Sequence, residues 1–238
     1  MANFGFERLA VVAPYEAHWR EAKSAVGAED LLQNARITER LADAITDCTL
    51  VVGTGSIEHR KPDQPIVLLP DLAPHIQKEI ARGGRIALVF GSEKRGLTQA
   101  DLSLCNLLAV IPTDPQQPSM NLGQAVAVCL YQIASQINRT SQVADQELGA
   151  PGPLHLGTRD DGPDAASPAS TRDLELLAGL VEETMLAANY SPPAMRDANR
   201  HDLNLLLRRL SLTRGDAGRI LGFFRRILWR LKHESDRT

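Results

Sequence analysis

The sequence has few aromatic residues, few cysteines and no long apolar run, and each shortage excludes a class of protein. Phe, Trp and Tyr make up 4% of the 238 residues, which argues against an all-β sandwich or a surface of many stacked rings. Three cysteines (Cys48, Cys105 and Cys129) cannot form a disulfide framework, and their apolar neighbours predict reduced core positions rather than nucleophiles. The uncharged stretch 122–137 is too short and polar to span a membrane. The opening residues lack the apolar run of a signal peptide, so we predict a soluble, cytoplasmic protein.

Apolar residues are plentiful enough for a packed core, and the charges are unevenly distributed along the chain. The apolar fraction is 43% and the charged fraction 23%, which excludes global disorder. The net charge of −3 conceals a basic C-terminal region, since residues 203–232 hold eight basic side chains and one acid, Asp216. Such enrichment indicates either an anionic partner or a solvated helix face.

A change of composition divides the chain into three segments. Residues 141–170 are rich in Gly, Pro, Ala, Ser and Asp and have no apolar periodicity, which predicts a flexible linker. It separates a domain over 1–140 from a helical extension over 171–238.

The first segment alternates short β-rich runs with helical ones, which predicts a mostly parallel sheet with helices on both faces. Its apolar runs, such as TLVVG and IALVFG, are continuous, as expected for strands covered on both sides. The predicted strands are Leu9–Val12, Thr49–Gly53, Ile66–Leu69, Ile86–Gly91 and Leu107–Pro112. Helices are predicted near 16–26, 39–46, 71–82 and 98–103, and a longer one follows the last strand, with an apolar stripe from Leu122 to Ile137.

The last segment is predicted to be entirely helical, as a small bundle of three helices. Thr171 opens a run with apolar residues at helical spacing that ends near Tyr190. A second, Leu-rich helix is predicted from about Asp202 to Leu210. Thr213, with Asp216 three residues on, is typical of an N-cap and predicts a final helix to about Lys232.

Small and polar residues follow three predicted strands, where ligands of parallel sheets bind. The three loops are Thr54-Gly55-Ser56, the stretch from Gly91 to Leu97, and the stretch from Thr113 to Asn121. Loops of this kind let a ligand approach backbone N–H and C=O groups.

Taken singly, each loop also has an ordinary structural interpretation. Ser119 lies where a helix N-cap is expected, and Glu93 with Arg95 forms a common type of surface pair. No histidine pair has metal-ligand spacing, so no metal site is predicted.

In combination, however, the order GTGS, IALVFGSEKRGLT and VIPTDPQQPSMNLGQAVAVCLYQ resembles the second and third signature motifs of the SpoU/TrmH family. These are S-adenosylmethionine-dependent RNA 2′-O-ribose methyltransferases of the SPOUT superfamily. The resemblance covers residues 1–139, and the helical extension makes the layout most similar to the TrmJ-type tRNA methyltransferases.

The resemblance implies a fold, a cofactor and a set of site residues. The fold would be a parallel sheet with a C-terminal trefoil knot holding S-adenosyl-L-methionine, in a homodimer. Residues near the reaction centre would be Ser119, Asn121 and Glu93. Cofactor contacts would be Thr54, Gly55, Ser56, Gly91, Ile111, Pro118, Ser119 and Met120.

The family's first motif, an Asn followed by an Arg, has no counterpart in this sequence, nor has its first strand. One interpretation makes Met1 an internal methionine of a longer enzyme. The other makes the chain a non-catalytic, knotted RNA-binding homodimer.

The expected function is methylation of a cytidine or uridine ribose at the start of the anticodon loop of tRNA, with no membrane and no metal involved. The third interpretation, an unrelated α/β small-molecule enzyme, requires the match of three loops to be accidental. If the chain is a tRNA methyltransferase, its basic C-terminal helices would grip the tRNA backbone or pack against the partner subunit. The arginines expected to contact RNA are Arg208, Arg209, Arg214, Arg219, Arg225, Arg226 and Arg230.

Overall fold

Strands and helices alternate through the first half of the chain, and helices alone form the last part. The computed structural model describes residues 1–14, 19, 27–55, 62–147, 166–190 and 192–235. The strands are β1 (Ala10–Val12), β2 (Arg36–Thr38), β3 (Leu50–Thr54), β4 (Ile66–Leu68), β5 (Ile86–Val89) and β6 (Leu107–Val110). The helices are α1 (Glu29–Gln33), α2 (Leu41–Ala44), α3 (Ala73–Ala81), α4 (Gln99–Ser103), α5 (Leu122–Glu147), α6 (Thr171–Ala187), α7 (Arg196–Arg209) and α8 (Arg214–Ser235).

Four strands form one sheet in the order β4-β6-β3-β5, and every neighbouring pair is parallel. Val52 of β3 lies opposite Leu88 of β5 and Leu107 of β6, so β3 is a central strand. β1 and β2 pair in parallel as a separate two-stranded sheet. The prediction of a mostly parallel sheet with helices is confirmed.

The four-stranded sheet has an apolar core on each face. Successive residues of a strand point to opposite faces, and Val51 and Val52 are both fully buried, in different clusters. Val51 packs with Leu41 of α2 and Leu102 of α4, whereas Val52 packs with Ile76 of α3 and with α5. This two-sided cover explains why the strands are continuous apolar runs in the sequence.

The three C-terminal helices share an apolar cluster of their own. Leu174 and Leu177 of α6 pack with Leu207 of α7 and Ala217 of α8. α6 starts with a capping box, in which Ser170 and Asp173 satisfy each other's backbone N–H groups. α8 starts at the predicted signal, since Thr213 Oγ1 accepts a hydrogen bond from the backbone N–H of Asp216 at 3.1 Å.

Backbone hydrogen bonds join α6 to the sheet-containing part of the chain. The N–H groups of Thr171 and Arg172 donate to the carbonyls of Cys48 and Thr46, at 2.8 and 3.0 Å. Thr171 is 1% exposed, so its N–H group is satisfied inside the protein rather than by water. The start of the helical extension is therefore fixed against the loop that precedes β3.

Several predicted boundaries were wrong. β5 and β6 each end two residues earlier than predicted, and β2 and α1 were missed. α7 begins at Arg196, six residues before the expected start at Asp202. α5 continues to Glu147, so the first seven residues of the predicted linker are helical. The rest of that linker up to residue 165, and the predicted helix at 16–26 apart from Trp19, lie outside the described residues.

Candidate functional site

Three adjacent strands end side by side at one edge of the sheet, and the loops that follow them build the candidate site. β3 lies between β6 and β5, so the loops predicted from the sequence are neighbours in space. Thr54, the last residue of β3, donates a hydrogen bond from Oγ1 to the carbonyl of Val89, the last residue of β5, at 3.0 Å. This bond holds the ends of the two strands together.

The loop after β5 folds back tightly on itself. The N–H of Gly96 donates to the carbonyl of Ser92 at 2.8 Å, and Gly96 has a φ of +66°, a conformation that favours glycine. A Cβ at Gly91 would overlap the backbone of Gly96 and Leu97, so only glycine allows this close approach. Leu97 is 4% exposed and anchors the loop in the core.

The loop after β6 runs into the long helix α5, and Asn121 is the residue that caps this helix. Asn121 Oδ1 accepts hydrogen bonds from the N–H groups of Gly123 and Gln124, at 2.9 and 3.3 Å. The N-cap interpretation of Ser119 is therefore wrong, because the cap lies two residues later. Ser119 is exposed in the loop just before it.

A hydrogen bond from the nitrogen of the Asn121 amide links two of the three loops. Asn121 Nδ2 donates to Glu93 Oε1 at 2.8 Å, across 28 residues of sequence. Both side chains are exposed, so the bond contributes little to stability and mainly fixes orientation. The structure thus brings together two of the three residues expected near the reaction centre.

The surroundings of these loops suit a flat, partly apolar ligand. A Cβ at Gly55 would meet no atom of the described residues within 4 Å, so none of them crowds the backbone at the end of β3. Ile111 is partly buried against the core, and Met120 is 38% exposed. Pro118 is partly buried, and its carbonyl accepts a hydrogen bond from Thr113 Oγ1 at 3.4 Å. Ser56, also expected in this set, lies outside the described residues.

The cysteines are core or near-core residues, as predicted. Cys105 and Cys129 are each 1% exposed, and Cys48 is partly buried. Burial raises the pKa of the Cys48 and Cys105 thiols to about 12 and that of Cys129 to about 11, so all three stay protonated near neutral pH. Within the described ranges, no group of three His, Cys, Asp or Glu residues could hold a metal ion, and no helix is long and apolar enough to cross a bilayer.

The predicted RNA-binding arginines divide into one buried residue and six exposed ones. Arg208 is 5% exposed, and burial lowers the pKa of its guanidinium to about 10. The expectation that Arg208 contacts RNA is therefore corrected, because a buried side chain cannot reach a phosphate from this position. The exposed members are Arg209, Arg214, Arg219, Arg225, Arg226 and Arg230.

Sequence reasoning missed three features that shape the site. The cap at Asn121 had a signal, since Asn directly precedes the apolar stripe that begins at Leu122. The burial of Leu97 had a weaker signal in the sequence, namely a single apolar residue after the charged run Glu93-Lys94-Arg95. The bond between Asn121 and Glu93 had none.

Comparisons with known proteins find a matching family and similar relatives. The model of the SpoU rRNA Methylase family matches residues 1–131. The tRNA (cytidine/uridine/adenosine-2′-O-)-methyltransferase TrmJ of Pseudomonas aeruginosa is 35% identical over 134 residues, which are 56% of this chain and 52% of that protein. The tRNA (cytidine/uridine-2′-O-)-methyltransferase TrmJ of Klebsiella pneumoniae is 32% identical over 198 residues, 81% of this chain and 73% of that protein.

A solved structure extends the similarity over nearly the whole chain. The crystal structure of TrmJ from Z. mobilis superposes with a TM-score of 0.74 and 25% identity, covering 95% of this chain and 89% of that one. The matched region spans about half the length of the Pseudomonas relative.

Proposed function

The chain belongs to the SpoU rRNA Methylase family, and from that premise we propose that it is an S-adenosyl-L-methionine-dependent tRNA ribose 2′-O-methyltransferase. The observation that carries the proposal is the edge of the sheet where β3, β5 and β6 end side by side, with the bond from Asn121 to Glu93 joining the loops after β5 and β6. The proposed target is a cytidine or uridine at the start of the anticodon loop. The names of the relatives support the two bases and the tRNA.

The residues of the site fit the methyl donor. None of the described residues crowds Gly55, which suits the approach of an adenine edge to its backbone, and Ile111 and Met120 supply apolar contacts. Thr54, Ser56, Gly91, Pro118 and Ser119 complete the proposed contacts. When bound, the donor supplies an electrophilic methyl group on a sulfonium sulfur.

The chain's own contribution is to align the ribose and accept its proton. In the proposed transfer, the 2′-oxygen would bond to the methyl carbon as the bond from that carbon to sulfur broke, and the hydroxyl proton would have to leave. We assign Glu93 as the acceptor of that proton, with Asn121 and Ser119 orienting the reacting groups. Asn121 suits this positioning role because its Oδ1 accepts a hydrogen bond from the first turn of α5 while its Nδ2 donates one to Glu93.

The assembly proposed is a knotted homodimer in the cytoplasm, where tRNA is found. The knot is proposed from the family to which the chain belongs. Exposed apolar residues on α5 support a dimer: Tyr131, 58% exposed, lies edge-on against Phe4. Residues 171–238 form the proposed helical RNA-binding extension, joined to the domain over 1–140 by the linker.

The six exposed arginines are the proposed contacts to the tRNA backbone. Removal of one arginine–phosphate pair should reduce the slope of log affinity against log salt by about 0.7 to 0.9. Replacing Arg209 and Arg214 by Ala should therefore flatten the slope by about 1.4 to 1.8. An unchanged slope would reject this role for the extension.

The direct test of the activity is transfer of a radiolabelled methyl group from S-adenosyl-L-methionine to tRNA, followed by mapping of the product nucleotide. The proposal expects label in a 2′-O-methylated cytidine or uridine. Binding of tRNA without any transfer would favour the non-catalytic alternative, and binding of neither tRNA nor donor would reject both.

A further inference from the structure

A stacked pair of rings lies on the surface of the last helix. Trp229 and His233, one turn apart on α8, have ring centroids 4.3 Å apart and an interplanar angle of 30°. His233 Nδ1 also lies 2.8 Å from the carbonyl of Trp229. The indole is nonetheless 59% exposed, so a large apolar ring is held in one orientation at the surface.

The residues around this pair are basic or small. Positions 222, 226, 229 and 233 are spaced by four, three and four residues, so they share one face of α8. Arg226 lies on that face, and Arg230 is the residue next to Trp229; both are exposed. A Cβ at Gly222 would meet no atom within 4 Å, so the helix backbone is open to close approach there. We call Gly222, Arg226, Trp229, Arg230 and His233 the Trp229 face.

The charge of the Trp229 face matches a nucleic acid better than another protein. The fully buried centres of protein interfaces are depleted of charged residues. This indole, in contrast, is bordered by two arginines, and residues 203–232 hold eight basic residues and one acid. Sites for unpaired nucleic acid combine positive charge along the backbone with aromatic rings that stack on bases. The Trp229 face has both components.

We propose that the Trp229 face binds an unpaired nucleotide of tRNA, with its base stacked on the indole and its phosphates near Arg226 and Arg230. The proposal rests on the proposed function and adds to it a binding site on α8, built from residues other than those proposed for methyl transfer. Because every base has a flat face, such a site selects unpaired nucleotides without selecting a sequence. It gives the extension a way to recognise a loop rather than a duplex.

The test compares Trp229→Ala with Phe223→Ala, a control that removes another exposed aromatic ring from the same helix. Phe223 is 63% exposed and, six residues before Trp229, lies about 120° away from it around the axis of α8, on the side of Arg230. Removal of one stacking ring should weaken tRNA binding about 5- to 150-fold in Trp229→Ala. Trp229→Phe should retain most of the affinity, and Phe223→Ala should bind as the parent does.

Fluorescence gives a second readout, because the chain has only two tryptophans, Trp19 and Trp229. In a Trp19→Phe background, emission from Trp229 should be quenched by tRNA and by a short unpaired oligonucleotide, but not by the same strand in a duplex.

The proposal is overturned if tRNA is bound and methylated while Trp229→Ala and Phe223→Ala have equal affinities. A Trp229→Ala protein with unchanged affinity but an altered oligomeric state would assign the face to a second copy of the chain instead. Absence of any tRNA binding by the parent protein would instead count against the proposed function.

Discussion

Replacement of the buried Arg208 by methionine is expected to stabilise the protein. Arg208 is 5% exposed, and its Nε and Nη2 atoms have no hydrogen-bond partner among the described residues. Burial lowers the pKa of the guanidinium from 12.5 to about 10, although the nearby Cys105 and Glu175 favour the charged form. Methionine has a similar length and no charge to desolvate.

The magnitude follows from that difference in pKa. A fall from 12.5 to about 10 corresponds to about 3 kcal/mol that disfavours the charged folded state. Because a base with a lowered pKa is penalised while it is charged, the penalty is present at every pH below about 10 and disappears as the pH rises towards 12.5. Replacing a buried charge by an apolar side chain of similar size is often neutral or stabilising by ~1–4 kcal/mol. We expect Arg208→Met to gain about 1–3 kcal/mol near neutral pH.

The assay is urea unfolding followed by circular dichroism, with Arg209→Met as the matched control. Arg209 is the exposed neighbour of Arg208, so its replacement makes the same change in charge and should alter stability by less than about 0.5 kcal/mol. The affinity for tRNA should fall in Arg209→Met, which removes an exposed arginine, and stay unchanged in Arg208→Met. A drop in stability of more than about 1 kcal/mol in Arg208→Met alone would refute the reasoning, since it would mean that the guanidinium is well satisfied inside the protein.

Three further predictions concern the loops and the thiols. Gly91→Ala should lower stability by about 1–3 kcal/mol and abolish donor binding, because its Cβ would overlap the backbone of Gly96 and Leu97. The control is Gly218→Ala, where a Cβ meets no described atom within 4 Å. Equal melting temperatures for the two variants would contradict the close approach of Gly91 to Gly96 and Leu97. In Glu93→Gln the side chain keeps an oxygen that can accept from the Asn121 amide, but it is a far weaker base. Methyl transfer should therefore fall about 10²- to 10⁴-fold while the affinity for the donor stays unchanged. Retained activity would show that Glu93 does not accept the proton. The three thiols, whose pKa values burial raises to about 12, 12 and 11, should react slowly with a disulfide reagent at pH 8 and fully after unfolding in guanidinium; rapid reaction of the native protein would show that they are accessible.

Three strands of the four-stranded sheet were predictable because packing of helices on both faces constrains their sequence. β3, β5 and β6 lie in the sheet between two helical layers, which requires continuous apolar runs such as TLVVG. β2 has the sequence RIT, with one apolar residue, and is defined by backbone pairing to β1. No periodicity marks a strand that short.

The start of α7 was missed because ion pairs hold its first turns. Arg200 donates to Glu175 and Glu182 of α6 at 2.8 and 3.1 Å, and Arg196 also donates to Glu182. The stretch RDANRH therefore carries no apolar stripe by which a helix could be recognised. The same limit applies at the end of α5, where the helix continues past Ile137, the last residue of its stripe.

In the candidate site, the order of the loops was predictable and their connections were not. Strand ends of a parallel sheet meet at one edge, so Thr54, Gly91 and Ile111 were expected to be neighbours. The bond between Glu93 and Asn121 depends on how two loops fold towards each other. The burial of Arg208 likewise depends on the packing of α7 against the rest of the protein, while arginine in a basic run is normally exposed.

Titration calorimetry with S-adenosyl-L-homocysteine tests the central claim most directly, because it asks whether the loops after β3, β5 and β6 hold a methyl donor. The account predicts saturable binding at one site per chain, abolished in Gly91→Ala and retained in Gly218→Ala. Absence of binding by the parent protein, or equal binding by both variants, would contradict it.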